Sequence, residues 1–180
     1  GVTAQGCKDS MIKVVTIHPL PVASFSSSPV CLKDSTSFTD LSTGVITSWA
    51  WDFLNDGTVN STVKNPKALF STEGNNATKL AVTTDKGCKD SITIDAVVNP
   101  LAVASFTHVN KCIPEAIPFA STSTISSGSI AQYEWNFESG ATSNQENPTY
   151  SYATHGAYDV KLNVTSDKGC TDSITVSVTP

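Results

Sequence analysis

The 180-residue chain predicts an all-β protein made of tandem β-sandwiches, and three observations carry that expectation. First, the sequence repeats itself. Residues 6–25 and 87–106 agree at eleven of twenty positions at a shift of 81, and a third, partial copy closes the chain at 169–180. Second, short stretches alternate apolar and polar residues at period two and are separated by turn signals, the pattern of half-buried strands. Third, Ser and Thr supply 47 of 180 residues, Val and Ile are common, and Met occurs once, a balance that favours strands over helices. No segment sustains the period of an amphipathic helix.

Landmarks recur in order across the whole period. Cys31 answers to Cys112, Trp51-Asp52-Phe53 to Trp135-Asn136-Phe137, Asn65-Pro66 to Asn147-Pro148, and Asp85-Lys86-Gly87-Cys88 to Asp167-Lys168-Gly169-Cys170. The unit is therefore about 80 residues long, a tandem array. Residues 1–20 match only the end of a unit. The expected organisation is the C-terminal strand or strands of a preceding repeat over 1–20, one repeat over 21–100 and another over 101–180. The opening piece cannot bury its own apolar face, so the sequence reads as a window on a longer array.

Within each unit the strands follow in order. Val22 to Phe25 predicts a short first strand and Thr36 to Thr39 a second. In Ser48 to Phe53 the aromatics Trp49, Trp51 and Phe53 fall on every second position and share one face, as do Tyr133, Trp135 and Phe137 in the second unit. Leu80 to Thr83 and Val160 to Val164 are later strands. The Asp-Lys-Gly turns follow, where Gly supplies a positive φ at little cost. Ser91 to Val98 and Ser173 to Val178 close the units.

The order Val-Ala-Ser-Phe, Cys, Trp-(Asp/Asn)-Phe, Asn-Pro, Gly-x-Tyr-x-Val-x-Leu-x-Val-Thr, Gly-Cys, Ser-Ile-Thr resembles the polycystic kidney disease (PKD) repeat, which implies an immunoglobulin-like sandwich. The form with one early Cys and a late Gly-Cys is similar to repeats in large secreted surface proteins of Bacteroidota. The chain departs from the pattern in places. The family's Trp-Asp-Phe-Gly-Asp-Gly is here Trp51-Asp52-Phe53-Leu54-Asn55-Asp56-Gly57, with an insertion, and Asn136 replaces the first Asp in the second unit. The Tyr expected near the start of the sixth strand is present as Tyr158, but Asn76 holds its place in the first unit, which must anchor that corner differently.

Chemistry finds little support in the residues. His18, His108 and His155 do not recur between units, no Gly-x-Ser-x-Gly elbow or metal-spaced His pair is present, and no Cys-x-x-Cys occurs, so no catalytic residue is expected. With a net charge of −5 and no Arg among eleven basic residues, nucleic acid is not an expected partner. No apolar run approaches a membrane span, and the first residues lack the basic and apolar parts of a signal peptide. The shared parity of Trp49, Trp51 and Phe53 points to core rather than to a sugar-stacking platform. Asp52, Asn55 and Asp56 form a weak calcium candidate. The competing expectation is that Asp56-Gly57 makes a turn and Asp52 accepts backbone N–H bonds, so no cofactor is expected.

Five Cys at 7, 31, 88, 112 and 170 follow the period without zinc spacing, which reads as disulfides in an exported protein. Cys7 would find its partner outside this sequence. Two pairings fit the period. One bonds Cys31 to Cys88 and Cys112 to Cys170 within units. However, the immunoglobulin-like topology implied by the resemblance puts the early Cys at one end of the sandwich and the Gly-Cys turn at the other. Seven strand residues span roughly 23 Å, whereas a disulfide needs Cα atoms within about 7 Å. The alternative therefore bonds Cys31 to Cys170 across the joint between units. Both remain open on sequence alone.

The Bacteroidota-like resemblance also implies O-glycan acceptors at Ser10, Ser35, Ser91 and Ser173, each following Asp. The sequons at Asn60, Asn76 and Asn163 are weaker candidates. The function expected is a non-enzymatic, extracellular or cell-surface repeat segment forming a rod-like stalk or fibre. Its expected partners are neighbouring repeats, surface glycans or adhesion ligands. The alternative is an ancillary polysaccharide-contacting module of a secreted hydrolase.

Overall fold

The computed structural model describes residues 4–6, 10–138 and 140–180. Among them every regular element of three residues or more is a strand, and the strands build two similar sandwiches in succession. In the first, β1 (Phe25–Ser27), β3 (Ser35–Asp40) and β5 (Lys67–Leu69) form one sheet in the order β1-β3-β5. The facing sheet runs β2-β7-β6-β4, from β2 (Val30–Cys31), β4 (Ile46–Asp52), β6 (Gly74–Thr84) and β7 (Lys89–Asn99). The second sandwich repeats the plan except at the edges of its larger sheet. Strands β8 (Phe106–His108), β9 (Ile117–Ser121) and β12 (Thr149–Tyr150) face β10 (Ile130–Asn136), β11 (Thr142–Ser143), β13 (Tyr158–Ser166) and β14 (Thr171–Val178). In that larger sheet β11 lies beside β10, and no described strand pairs with β14 as β2 pairs with β7.

The equivalence reaches individual registers. Trp51 stands opposite Leu80 and Trp135 opposite Leu162, and both strands carry an irregularity at their second residue, between Ile46 and Ser48 and between Ile130 and Gln132. Each sandwich has its own core, because the inward residues of both sheets alternate with outward ones. In the first, Trp51 lies 5.1 Å from Phe25 and 5.4 Å from Phe38 between ring centroids. In the second, Trp135 lies 5.0 Å from Phe106 and 5.7 Å from Phe119. Both indoles are fully buried, and each Nε1–H finds a backbone acceptor, Val63 O at 2.9 Å and Gln145 O at 2.8 Å. A buried indole is thus packed and hydrogen-bonded at once, which removes the desolvation cost of its one polar atom. Truncating either to Ala would cost about 3–5 kcal/mol.

Two strands differ from the sequence expectation. The first pairs from Phe25 to Ser27 rather than from Val22, and Val22 keeps only an isolated bridge to Thr43. Strand β6 begins at Gly74, six residues before Leu80, because the inward positions Asn76 and Thr78 are polar but buried and hydrogen-bonded.

Candidate functional site

The feature that sets this chain apart from two independent sandwiches is the joint between them. At the far end of the first sandwich, Val30 and Cys31 lie parallel to Val98 and Asn99 at the exit of β7, and Leu32 N–H donates to Asn99 O at 2.8 Å. This pins Cys31 beside the point where the chain leaves the first repeat. At the near end of the second sandwich, the turn from β13 to β14 presents Cys170. Gly169, at φ +79°, makes that turn. Its N–H donates to Ser166 O at 3.0 Å, Ser166 N–H donates to Cys170 O at 2.8 Å, and Cys170 N–H donates to Ser166 Oγ at 3.1 Å. Asp172 then latches the turn to the entry segment of its own repeat, accepting Ala104 N–H on Oδ2 at 2.8 Å.

These two ends meet, and Cys31 and Cys170 are joined by a disulfide with Cα atoms 5.6 Å apart across 139 residues of sequence. Within-repeat pairing is therefore not what forms: Cys88 and Cys112 carry free thiols. The physical reason is the one that strand length supplies, since early Cys and Gly-Cys turn occupy opposite ends of a sandwich. Cys7 lies outside the described residues. Around the bond, Leu32 and Glu73 of the first repeat face Leu101, Ile125 and Asp172 of the second across a cleft of ≈630 Å³. A smaller cleft of ≈160 Å³ lies between Asn99 and Pro100 on one side and Gly128 and Asp167 on the other. Ser129 N–H donates to Asp167 Oδ1 at 3.3 Å, and the backbone contact with Ser129, with Lys168 alongside, holds the Asp167 carboxyl below its ordinary value.

The other sequence candidates lie elsewhere. Asp52 is buried, with Oδ1 accepting Asp56 N–H at 3.1 Å and Oδ2 accepting Gly57 N–H at 2.8 Å. Asp56 Oδ1 accepts Thr58 N–H at 2.8 Å, and Asn55 takes a left-handed φ of 50° in the same turn. Both carboxylates thus hold the loop's own backbone. In the second repeat Asn136 Oδ1 accepts Glu138 N–H at 2.9 Å. Among the described residues no group of three His, Cys, Asp or Glu converges as metal ligands.

Trp51 is core, whereas Trp49 and Phe53 are half-buried at its margin. Trp49 Nε1–H donates to Asp40 Oδ2 at 2.8 Å, and Lys64 Nζ stands 5.7 Å from its ring centroid. His18 sits in the exposed linker, His108 ends β8 against Phe119, and His155 Nδ1 lies 3.3 Å from Pro180 O. Ser10, Ser35, Ser91 and Ser173 are all exposed. Of the sequons, Asn60 is exposed and Asn163 half-buried with Nδ2 donating to Glu134 Oε2 at 3.2 Å, while Asn76 is buried.

Sequence reasoning missed Asp90 and Asp172. Asp90 Oδ2 accepts Ala23 N–H at 2.8 Å, the same latch that Asp172 makes with Ala104. The signal was present, an Asp two residues after every Gly-Cys, but a turn-forming Asp has so many local uses that its long-range partner is not readable from spacing.

Two immunoglobulin-like sandwiches in one chain, each closed by an Asp latch and locked together by a disulfide, define a tandem β-sandwich module. The PKD domain family model matches it twice, over residues 20–100 and 97–180, and the chain belongs to that family. It is 33% identical over 175 residues to the pre-pro-metalloprotease PrtV of Vibrio cholerae, covering 92% of this chain and 18% of that protein. It is 40% identical over 80 residues to a microbial collagenase of Vibrio alginolyticus, covering 44% of this chain and 10% of that one. The chain thus spans less than a fifth of the length of these relatives. Among solved structures, the PKD1 domain of Vibrio anguillarum Epp is 31% identical over 45% of this chain and 94% of its own, with a TM-score of 0.43.

Proposed function

We propose that this segment is a non-catalytic spacer of an extracellular protein, in which successive PKD domains are held end to end as a stiff rod. The observation that carries this reading is the Cys31–Cys170 bond between the exit of one repeat and the entry turn of the next. A disulfide at that place does little for either core. It removes relative motion of two bodies otherwise joined only by the residues around Asn99-Pro100-Leu101. Disulfides persist in oxidising compartments, which supports export to the cell exterior or surface. The rod's physical work is to set a distance and resist proteolysis, with neighbouring repeats as its first partners.

Small-angle scattering of the chain, oxidised and then reduced, tests the reading. An elongated particle is expected in the oxidised form, with a broader distance distribution after reduction. A compact oxidised particle overturns it.

A second reading has its own support. The relatives are a metalloprotease and a collagenase of which this region is a minor part. The segment then serves as an ancillary module that holds an exported hydrolase to its substrate. An open polar concavity of ≈590 Å³ beside Tyr133, Glu134, Asn144 and Asn163 is where a polysaccharide or extended peptide would rest. Binding of soluble polysaccharides or collagen peptides by the isolated segment distinguishes this reading from a pure spacer.

A further inference from the structure

Among the described residues the disulfide leaves two thiols unused, and each holds the position in its own repeat that one partner of the bond holds in the other. Cys88 ends the β6–β7 turn as Cys170 ends the β13–β14 turn. Gly87 N–H donates to Thr84 O at 3.0 Å, Thr84 N–H donates to Cys88 O at 2.9 Å, and Cys88 N–H donates to Thr84 Oγ1 at 3.1 Å. These are the contacts that Gly169, Ser166 and Cys170 make. Cys112 holds the place of Cys31 and likewise opens a turn: Glu115 N–H donates to Cys112 O at 2.9 Å, as Asp34 N–H donates to Cys31 O at 2.9 Å, although Cys31 ends a strand that pairs with β7 and Cys112 lies in none. The used and unused cysteines also differ in coverage. Cys170 is fully buried in the joint, whereas its twin Cys88 is half-buried and Cys112 is exposed.

The surface around Cys88 matches too. In the closed joint, Gly128, Asp167 and Lys168 meet Asn99 and Pro100. Their counterparts Gly44, Asp85 and Lys86 line a cleft of ≈270 Å³ with His18, Pro19 and Leu20, beside Val45, which is 68% exposed. The first repeat therefore presents at its entry end the seat that the second repeat offers to the first.

We propose that Cys88 and Cys112 are staple sites for further units of this same repeat. Cys88 takes the early Cys of a preceding unit, and Cys112 takes the Gly-Cys thiol of a following one. Every joint of the array is then covalent, and each unit is bonded to both neighbours and never to itself. In each closure two thiols lose two protons and two electrons and form one S–S bond. A disulfide oxidant such as glutathione disulfide takes the electrons and is reduced to two thiols. This rests on the reading of the chain as a rod of joined repeats.

The test appends a second copy of residues 20–180 after residue 180 of the full chain, so the added unit begins where the natural phase places it. Cys7→Ser and Cys88→Ser in the first copy and Cys112→Ser in the second leave two unassigned thiols, Cys112 of the first copy and Cys88 of the second. Linkage in one chain gives these an effective concentration of about millimolar. After oxidation in a glutathione buffer, peptide mapping should find the Cys112–Cys88 peptide beside Cys31–Cys170, with no alkylatable thiol. Two free thiols alongside intact Cys31–Cys170 bonds, which report correct folding, overturn the proposal. Scattering on the same samples separates the two readings. A particle that stays elongated without the new bond refutes the staple and leaves the rod standing, whereas a compact particle refutes the rod.

Discussion

Asn76 is tied to Thr72, four residues back, by two hydrogen bonds: Thr72 Oγ1–H donates to Asn76 Oδ1 at 3.0 Å, and Asn76 Nδ2–H donates to Thr72 O at 3.3 Å. In the second repeat Tyr158 does the same work, its hydroxyl donating to Thr154 O at 2.9 Å, also four residues back. The sequence expectation that the first repeat must anchor this corner without a Tyr is met by an amide in place of a phenol. The amide is shorter, so it sits in the corner and is buried, whereas the phenol reaches over it from outside. Asn76→Ala should destabilise the first repeat by about 1–2 kcal/mol, because the amide's bonds to Thr72 and to Gly74 O are lost. Urea denaturation measures it, with Asn76→Asp, which sets a buried carboxylate oxygen against Thr72 O and Gly74 O, as the variant that should lose more.

The calcium candidate follows from how Asp52 spends its oxygens. Both accept backbone N–H groups of Asp56 and Gly57. A cation there would compete with the backbone N–H groups that those oxygens already accept. EDTA is therefore expected to leave the melting temperature unchanged. A rise of several degrees on adding millimolar Ca²⁺ would reverse this assignment, since a ligand bound only to the native state must stabilise it.

Much of the fold was legible because its signals are local. The parity of Trp51 and Phe53 marks an inward face, and the Gly-Cys turns mark strand ends. What escaped has a physical reason in each case. The start of β6 was hidden because Asn76 and Thr78 point inward and satisfy their polar groups there, which no apolar pattern can show. The latch from Asp172 to Ala104 joins residues 68 apart, and of the two cysteine pairings left open on sequence alone the structure forms Cys31–Cys170, 139 residues apart. The latch closes a single sandwich through a partner that local spacing does not name, whereas the disulfide depends on which ends of two sandwiches meet.

Acid should weaken the first repeat through Asp40. Burial alone would raise its carboxyl, but the bonds from Ser42 N–H at 3.0 Å and Trp49 Nε1–H at 2.8 Å, with Lys64 nearby, outweigh that and hold it below its ordinary 3.8. A depressed folded-state value contributes stability that is present above 3.8 and lost as pH falls through the folded-state value. Lowering the pH from about 6 to about 3 should therefore destabilise the natural chain more than Asp40→Asn, which has no such proton to take up. Equal losses in the two proteins would show that other carboxylates carry the effect. Urea midpoints of both proteins at the two pH values measure the losses.

Glycan attachment remains a proposal for the four exposed serines. Asp90 and Asp172 recur for the latch they make, so repetition of the Asp-Ser pair is explained without a sugar. Ser91 and Ser173 nevertheless point outward beside those latches and are free to accept one. Protein from its native source should exceed the bare polypeptide mass by at least one glycan, localised to Ser10, Ser35, Ser91 or Ser173. A mass equal to the polypeptide less the hydrogens lost to disulfides ends the idea.

The tyrosines of the second repeat give an opposed pair of variants. Tyr152 is buried, stacked at 4.0 Å on Tyr158 and edge-on at 4.8 Å to Tyr150, yet its hydroxyl has no hydrogen-bond partner among the described residues. Burial, with Tyr150 and Tyr158 close by, pushes this phenol up to about 12, so it stays protonated wherever the fold is stable. A buried hydroxyl without a partner costs roughly 1–3 kcal/mol, whereas its ring contributes the same packing as Phe. Tyr152→Phe should therefore leave stability unchanged or raise it by about 1 kcal/mol. Tyr158→Phe removes a made bond to Thr154 O and should lower stability by about 1 kcal/mol. Denaturant midpoints at unchanged slope decide the order. A loss at Tyr152 as large as that at Tyr158 would mean that its hydroxyl is paired in solution.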